Sequence, residues 1–262
     1  MGGNRKETGW VSFLFVSWGG MNLKKIIGAL CLIVICLGAG FSYGSSAPNA
    51  SMEHYNKGVQ LGQQGKFPEA KKEFEQAVKI DPASVQPKTF LKIIQDMEAK
   101  KLEGQAAVHL FKGTTYANKR QFDDAIKELT RSLEISPRYP ETYYNRGLIH
   151  GMKDRWEQAI ADFNRALELN PRYAYAYNDR GKIYLRQGKY DRALSDFNRV
   201  TEIEPRDWTG YFHKAIAFEN LGRNKEAGEA YKTALQYAPS RPDPQNQQAI
   251  NISREKIKVL AK

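Results

Sequence analysis

Pro137, Pro171, Pro205 and Pro239 stand 34 residues apart. Proline ends helices, so a chain punctuated at one fixed interval repeats a single supersecondary unit. One period before Pro137 lies Glu103, whereas the matching proline is Pro82. That interval is one period plus 21 residues. The chain therefore divides into units 51–84, 106–139, 140–173, 174–207 and 208–241, with 85–105 interrupting the series.

Numbered from the first residue of each unit, small or apolar residues recur at places 4, 8, 11, 20, 24 and 27. Unit 140–173 holds Tyr143, Gly147, His150, Ala159, Phe163 and Ala166 there; unit 174–207 holds Tyr177, Gly181, Tyr184, Ala193, Phe197 and Val200; unit 51–84 holds His54, Gly58, Leu61, Ala70, Phe74 and Ala77. Places 4, 8 and 11 share one helical face, as do 20, 24 and 27, so each unit reads as two helices. Small residues at places 8 and 20 let those helices approach closely. Gly188 and Gly222 at place 15 suit the turn between them. Each hairpin exposes an apolar face that only a neighbouring hairpin can cover.

With the proline at place 32, this pattern closely resembles the tetratricopeptide repeat, five times in register over 170 of the 262 residues. The resemblance implies an all-α fold, a right-handed superhelical solenoid of helix-turn-helix hairpins, whose function is to bind protein. After Pro239, Ile250, Ile257 and Leu260 share a face of a final helix from about Pro244, expected to cap the last repeat within 242–262.

The interruption is not a decayed repeat, because it would put Pro87 at place 3 and Lys92 at place 8. Phe90, Ile94 and Met97 share a helical face, and Gln86–Pro87 opens a helix that Gly104 ends or that runs on into the next unit. An odd helix breaks the pairwise alternation. It is expected to cap the four contiguous repeats or to offset the first as a semi-independent arm, with a hinge here.

Place 7, usually leucine in the family, is basic throughout: Lys57, Lys112, Arg146, Arg180 and Lys214. Place 23 is acidic in four units, as Glu73, Glu128, Asp162 and Asp196, with Ala230 in the fifth. An ion pair across each hairpin is expected, which removes these basic residues from a ligand-binding role.

No chemistry-bearing motif appears. His54, His109 and His150 occupy core places, and His213 has no second ligand at metal spacing. The stretch GVQLGQQGKF lacks the first glycine and the Ser/Thr of a phosphate loop. Neither enzymatic activity nor a cofactor or metal is expected.

Residues 1–47 read as an export signal. From Met21, the suggested initiator, Lys24 and Lys25 precede an apolar run from Ile26 to Phe41 and a small-residue stretch that favours cleavage after Gly44. A run of 16 residues is shorter than a spanning helix needs; an uncleaved anchor in the inner membrane is the alternative. Cys31 and Cys36 both lie in this run, so the mature chain would hold no disulfide, thiolate nucleophile or Cys-ligated zinc. Leu30 and Ile35 before them argue against lipidation. The net charge of +11 falls to +8 without this region, since it carries four Lys/Arg and one Glu.

The resemblance implies a concave groove lined by places 2, 5, 9, 12 and 13 of the first helices. These include Tyr55 and Val59, then Leu110, Thr114 and Asn118, then Tyr144 and Leu148. The fourth unit adds Tyr175, Asn178, Lys182 and Arg186, and the fifth Phe212, Ile216 and Asn220. Aromatic residues offer rigid contact area, and asparagines can bond a peptide backbone. The carboxylate clamp and the place-6 asparagine ladder of the family do not carry over, because Phe111, Asp179 and His213 break the ladder. The expected role is a non-enzymatic scaffold or chaperone-like adaptor in the bacterial cell envelope, exported to the periplasm or beyond, holding a polypeptide of unknown identity. An accessory subunit of an envelope enzyme or assembly machine, or an anionic-polymer binder, are the alternatives. Nucleic acid is not expected, and a membrane only through an uncleaved signal segment.

Overall fold

The computed structural model describes residues 47–240 and 242–260, and among them every regular element is an α-helix. The predicted signal segment, with both cysteines, lies outside the described residues apart from Ala47. The first helices of the five hairpins are α1 (Ala47–Gln63), α4 (Gly104–Asn118), α6 (Pro140–Met152), α8 (Ala174–Arg186) and α10 (Trp208–Asn220). Their partners are α2 (Phe67–Ile80), α5 (Phe122–Ile135), α7 (Trp156–Leu169), α9 (Tyr190–Ile203) and α11 (Asn224–Tyr237). The odd helix is α3 (Val85–Glu98), and α12 (Pro244–Leu260) closes the chain.

Each second helix stops two residues before its proline for a local reason. The residue preceding proline is barred from the α region. Asp81, Ser136, Asn170 and Glu204 accordingly turn extended, with ψ of 88°, 75°, 90° and 80°. Place 15 is left-handed in every unit: Gly65, Gly188 and Gly222 adopt φ of 76°, 71° and 73°, while Arg120 and Asp154 do so with side chains, at 60° and 54°.

The alanine at place 20 and the aromatic or leucine at place 24 form the spine of the core. Ala70, Ala125, Ala159, Ala193 and Ala227 are fully enclosed, as are Phe74, Leu129 and Phe197. The glycine at place 8 makes room for the place-24 ring. A Cβ on Gly181 would lie 2.8 Å from the Phe197 ring.

The hairpins are pinned as the sequence suggests in three of the four acid-bearing units. Lys57 reaches Glu73 at 2.6 Å. Arg146 and Arg180 grip Asp162 and Asp196 in bidentate fashion, at 2.7–2.9 Å and 2.6–2.9 Å. In the unit with Lys112, Glu128 instead bonds His109 at 2.8 Å and Arg131 at 2.9 Å. His54 likewise bonds Glu73 at 2.7 Å, so two of the core-place histidines are polar partners of a second-helix acid. Lys214, facing Ala230, lies over the Phe218 ring at 5.7 Å.

The semi-independent arm and the hinge are not found. Helix α3 ends at Glu98, Lys100 turns left-handed at φ 58°, and α4 begins at Gly104. The Phe90 ring stacks on Phe74 of α2 at 5.3 Å and meets Phe111 of α4 at 4.7 Å. Ile94 is fully buried, and one continuous core runs from Tyr55 through Phe90 to Ile149. The physical reason is that α3 is apolar on the side facing α2 and carries Phe90, Ile93 and Ile94 into the gap between the first two hairpins. At the other end α12 packs on α11 with Ile250 buried, and Lys256 pairs with Glu219 of α10.

Candidate functional site

Successive first helices pack on one another, α1 on α4, α4 on α6, α6 on α8 and α8 on α10. Second helices of adjacent hairpins are joined through an intervening first helix instead. The first helices therefore form the inner, concave side of the solenoid, where the groove is expected.

The predicted lining residues do not all face that groove. Leu110 has no exposure, and Tyr55, Val59, Phe212 and Ile216 are buried at 8–9%. Tyr55 packs against Phe74 and Phe90, an aromatic partner supplied by the inserted helix, and Phe212 against Trp208, His213 and Tyr231. These five are core residues. Adjacent first helices lie close enough here to cover places 5 and 9. Thr114 is half-buried and its hydroxyl donates to the Leu110 carbonyl. Asn118 and Asn220 are exposed; Asn118 donates to the Tyr55 hydroxyl at 3.4 Å, and Asn220 to the Ile216 carbonyl at 2.8 Å.

The remaining residues converge on α6 and α8. Tyr144 and Leu148 are half-buried, and the Tyr144 hydroxyl donates to Asp179 at 2.8 Å. Asp179 also accepts from Lys182 at 3.0 Å and from the Asn178 amide at 3.5 Å. Arg186 lies over the Trp156 ring at 5.3 Å. Tyr175 is 62% exposed, the most exposed aromatic side chain among the described residues' large hydrophobics. Its ring stands at 87° to Tyr173, and both contact Tyr144, at 6.5 and 5.0 Å.

Three participants were not singled out from the sequence as ligand-facing. Asp179 registered only as a break in the asparagine ladder, although it organises Tyr144, Asn178 and Lys182. Glu141 stands at place 2, a groove place, and bonds Lys92 of the inserted helix at 2.6 Å. Tyr173 lies in the turn before α8, where helical periodicity carries no signal. His213 is not the loosely constrained residue that place 6 suggests. It stacks on Phe197 at 5.3 Å, and burial, aided by Lys182, holds its pKa well below the ordinary histidine value.

Burial and nearby carboxylates act together on the phenols of the cluster. Burial, then Asp179 and Tyr173, raise the Tyr144 pKa well above the usual phenol value. Burial, then Glu141 and Asp179, raise that of Tyr173. Burial, then Glu204 and Asp207, raise that of Tyr175. Among the described residues no set of three His, Cys, Asp or Glu side chains is placed to hold a metal, and no helix is long and apolar enough to cross a membrane.

Comparison with known proteins agrees with this architecture. Models of the tetratricopeptide repeat match residues 51–84, 140–173 and 178–246, and a TPR repeat model matches 113–154. A crystal structure of MamA is 26% identical, covers 69% of this chain and 93% of its own, and superposes with a TM-score of 0.50. MamA from Desulfovibrio magneticus RS-1, 19% identical over 60% of this chain and 89% of that one, has the same fold at a TM-score of 0.51. No curated protein matches the sequence. The repeat models cover all five hairpins wholly or in large part and reach into the start of α12, leaving α3 between matched stretches; the chain is a tetratricopeptide-repeat protein.

Proposed function

We propose that this chain is a non-catalytic binding scaffold of the bacterial cell envelope, exported by its N-terminal segment, that holds a polypeptide segment against the inner face of α6 and α8. The tetratricopeptide fold is that of a protein-interaction scaffold, and the observation that carries the finer reading is Tyr175. A large aromatic side chain left 62% exposed buries little of its surface in the fold. Braced by Tyr173 and Tyr144, it offers rigid contact area at small entropic cost, as an interface anchor does. The export reading rests on the charged, apolar and small-residue order of residues 21–47.

The test is site-specific photo-crosslinking of the full chain in envelope extracts. A crosslinker at Tyr175 or Leu148 is expected to trap a polypeptide, and one at Arg165 on the outer side is not. Equal trapping at both sides refutes the groove. N-terminal sequencing of the chain isolated from cells checks export, with a start just after Gly44 expected; a chain that keeps residues 21–44 and stays in the cytoplasm refutes it.

A further inference from the structure

A furrow of about 540 Å3 lies between α7, α8 and α9, lined on α8 by places 4, 7 and 11 rather than by the groove places. Arg180 and Arg192 both line it, and both stack on the Tyr184 ring, at 6.0 and 5.8 Å. Their situations differ. Arg180 is consumed by the fold, since Asp196 takes its Nε and Nη2 and Asn164 Oδ1 takes its Nη1. Arg192 is exposed and makes no hydrogen bond or ion pair among the described residues.

Each carboxylate within reach of Arg192 is engaged or turned elsewhere. Asp196, four residues on, is where a helical arginine ordinarily finds its acid, but Arg180 holds both its oxygens. Glu168, on the α7 wall, accepts from Arg165 at 2.7 Å. Asp191 is next in sequence, and adjacent residues on a helix do not face each other. The position is also unfavourable for a cation. Arg192 is the third residue of α9, where the helix dipole favours negative charge. The same place in the other four units holds Glu69, Asp124, Gln158 and Glu226, three acids and one neutral residue. An anion in the furrow would satisfy the guanidinium and oppose the helix dipole in the favourable sense.

The groups beside Arg192 fit such an anion. Arg180 fixes Asn164 through its Oδ1, which leaves the amide nitrogen free to donate. Ser195, one turn on from Arg192, is exposed on the same furrow. A planar guanidinium held against a ring presents a two-pronged donor that matches a carboxylate. One unpaired cation balances one negative charge, and Glu168 disfavours a second. A cleft of this size suits a small molecule. We propose that the furrow binds a small organic acid by its single carboxylate, gripped by Arg192, with Asn164 and Ser195 donating further hydrogen bonds. The site is separate from the inner groove and goes beyond the scaffold reading.

The full chain is titrated with lactate, gluconate, glucuronate and benzoate, each beside its neutral amide, and with inorganic phosphate, by calorimetry and saturation-transfer NMR. At least one acid is expected to bind, and more tightly than its amide or phosphate. Arg192→Gln is expected to weaken that acid roughly 10- to 100-fold. Arg192→Lys, which keeps the charge and loses the fork, is expected to weaken it less. Because Arg192 is exposed and opposes the helix dipole, Arg192→Gln should melt no lower than the wild type, which separates lost binding from lost folding. Tyr175→Ala on the inner face should leave the acid bound as before. The assignment is overturned if no acid in the panel binds, if the amide or phosphate binds as tightly, or if Arg192→Gln changes nothing. A photo-crosslinker at Ser195 that traps a polypeptide likewise overturns the small-molecule assignment. None of these results bears on trapping at Tyr175, so the groove stands or falls separately.

Discussion

The Tyr139 hydroxyl donates a 2.9 Å hydrogen bond to the carboxylate of Asp96, joining the inserted helix to the corner between α5 and α6. Lys92 and Lys101 reach the same carboxylate at 2.7 and 3.4 Å. Burial alone would push the pKa of Asp96 up, but these three donors outweigh it and hold the pKa below the ordinary value. Because the folded pKa lies below the unfolded one, the stabilisation is complete above about pH 4. It is lost as the pH falls through the folded value. Asp96→Asn is expected to be less stable than the wild type at neutral pH, with the gap closing in acid. Urea unfolding at a series of pH values measures it; a gap independent of pH refutes the linkage.

Phe90 joins three helices, and its removal tests whether the first hairpin is an arm or part of the body. Phe90→Ala is expected to cost about 3–5 kcal/mol through the lost contacts and the cavity between Phe74 and Phe111. Hydrogen exchange provides the sharper reading. In the wild type, α1 and α2 should exchange with protection close to that of α4, and in Phe90→Ala they should open separately. If α1 and α2 already open independently in the wild type, the continuous core is wrong.

Burial favours the protonated carboxyl of Asp196 and raises its pKa, and the bidentate Arg180 guanidinium works against that. Removing Arg180 alone strands a buried carboxylate, which costs about 3–5 kcal/mol. Replacing both residues leaves no charge behind. Arg180→Leu is therefore expected to lower the urea midpoint strongly, and the double variant Arg180→Leu with Asp196→Leu to recover most of it. Additive losses in this cycle would show that the pair is not coupled.

Two glycines on helices are expected to respond to alanine with opposite signs. At Gly181 the new methyl would press on Phe197 at 2.8 Å and on Asp196 Cβ at 3.3 Å, so Gly181→Ala should lose about 1–2 kcal/mol. At Gly228, in the middle of α11, nothing lies within 4 Å of the new methyl. Gly228→Ala should gain about 0.5–1 kcal/mol from helix propensity. Thermal melts of the two variants check this, and shifts of the same sign would contradict the packing described.

Much of this architecture is legible from local pattern. The pairing of helices follows from residues that repeat at helical spacing, their ends from prolines that force the preceding residue out of the α region, and the pairs Lys57–Glu73, Arg146–Asp162 and Arg180–Asp196 from a fixed offset across a hairpin. These are short-range consequences of sterics and charge, and the chain carries them unit by unit. Where a partner comes from a neighbouring unit, the pattern is silent. Places 5 and 9 look alike in every first helix, yet Leu110 is closed over by adjacent helices whereas Leu148 is not. Which of the two faces solvent depends on how tightly neighbours stack, a property no single unit encodes.

The same distinction applies to the inserted helix and to the aromatic corner. Sequence alone determined that 85–105 is one amphipathic helix out of step with the repeat. Only tertiary structure decided that its apolar face would be consumed between Phe74 and Phe111 rather than left as a hinge, because burying Phe90, Ile93 and Ile94 stabilises the body more than an open joint would. It likewise decided that Tyr173 in a turn, Tyr175 on α8 and Tyr144 on α6 meet beside a carboxylate held by a lysine 49 residues away. Periodicity fixes which way a side chain points along its own helix; the convergence of side chains from separate elements is set by the curvature of the stack.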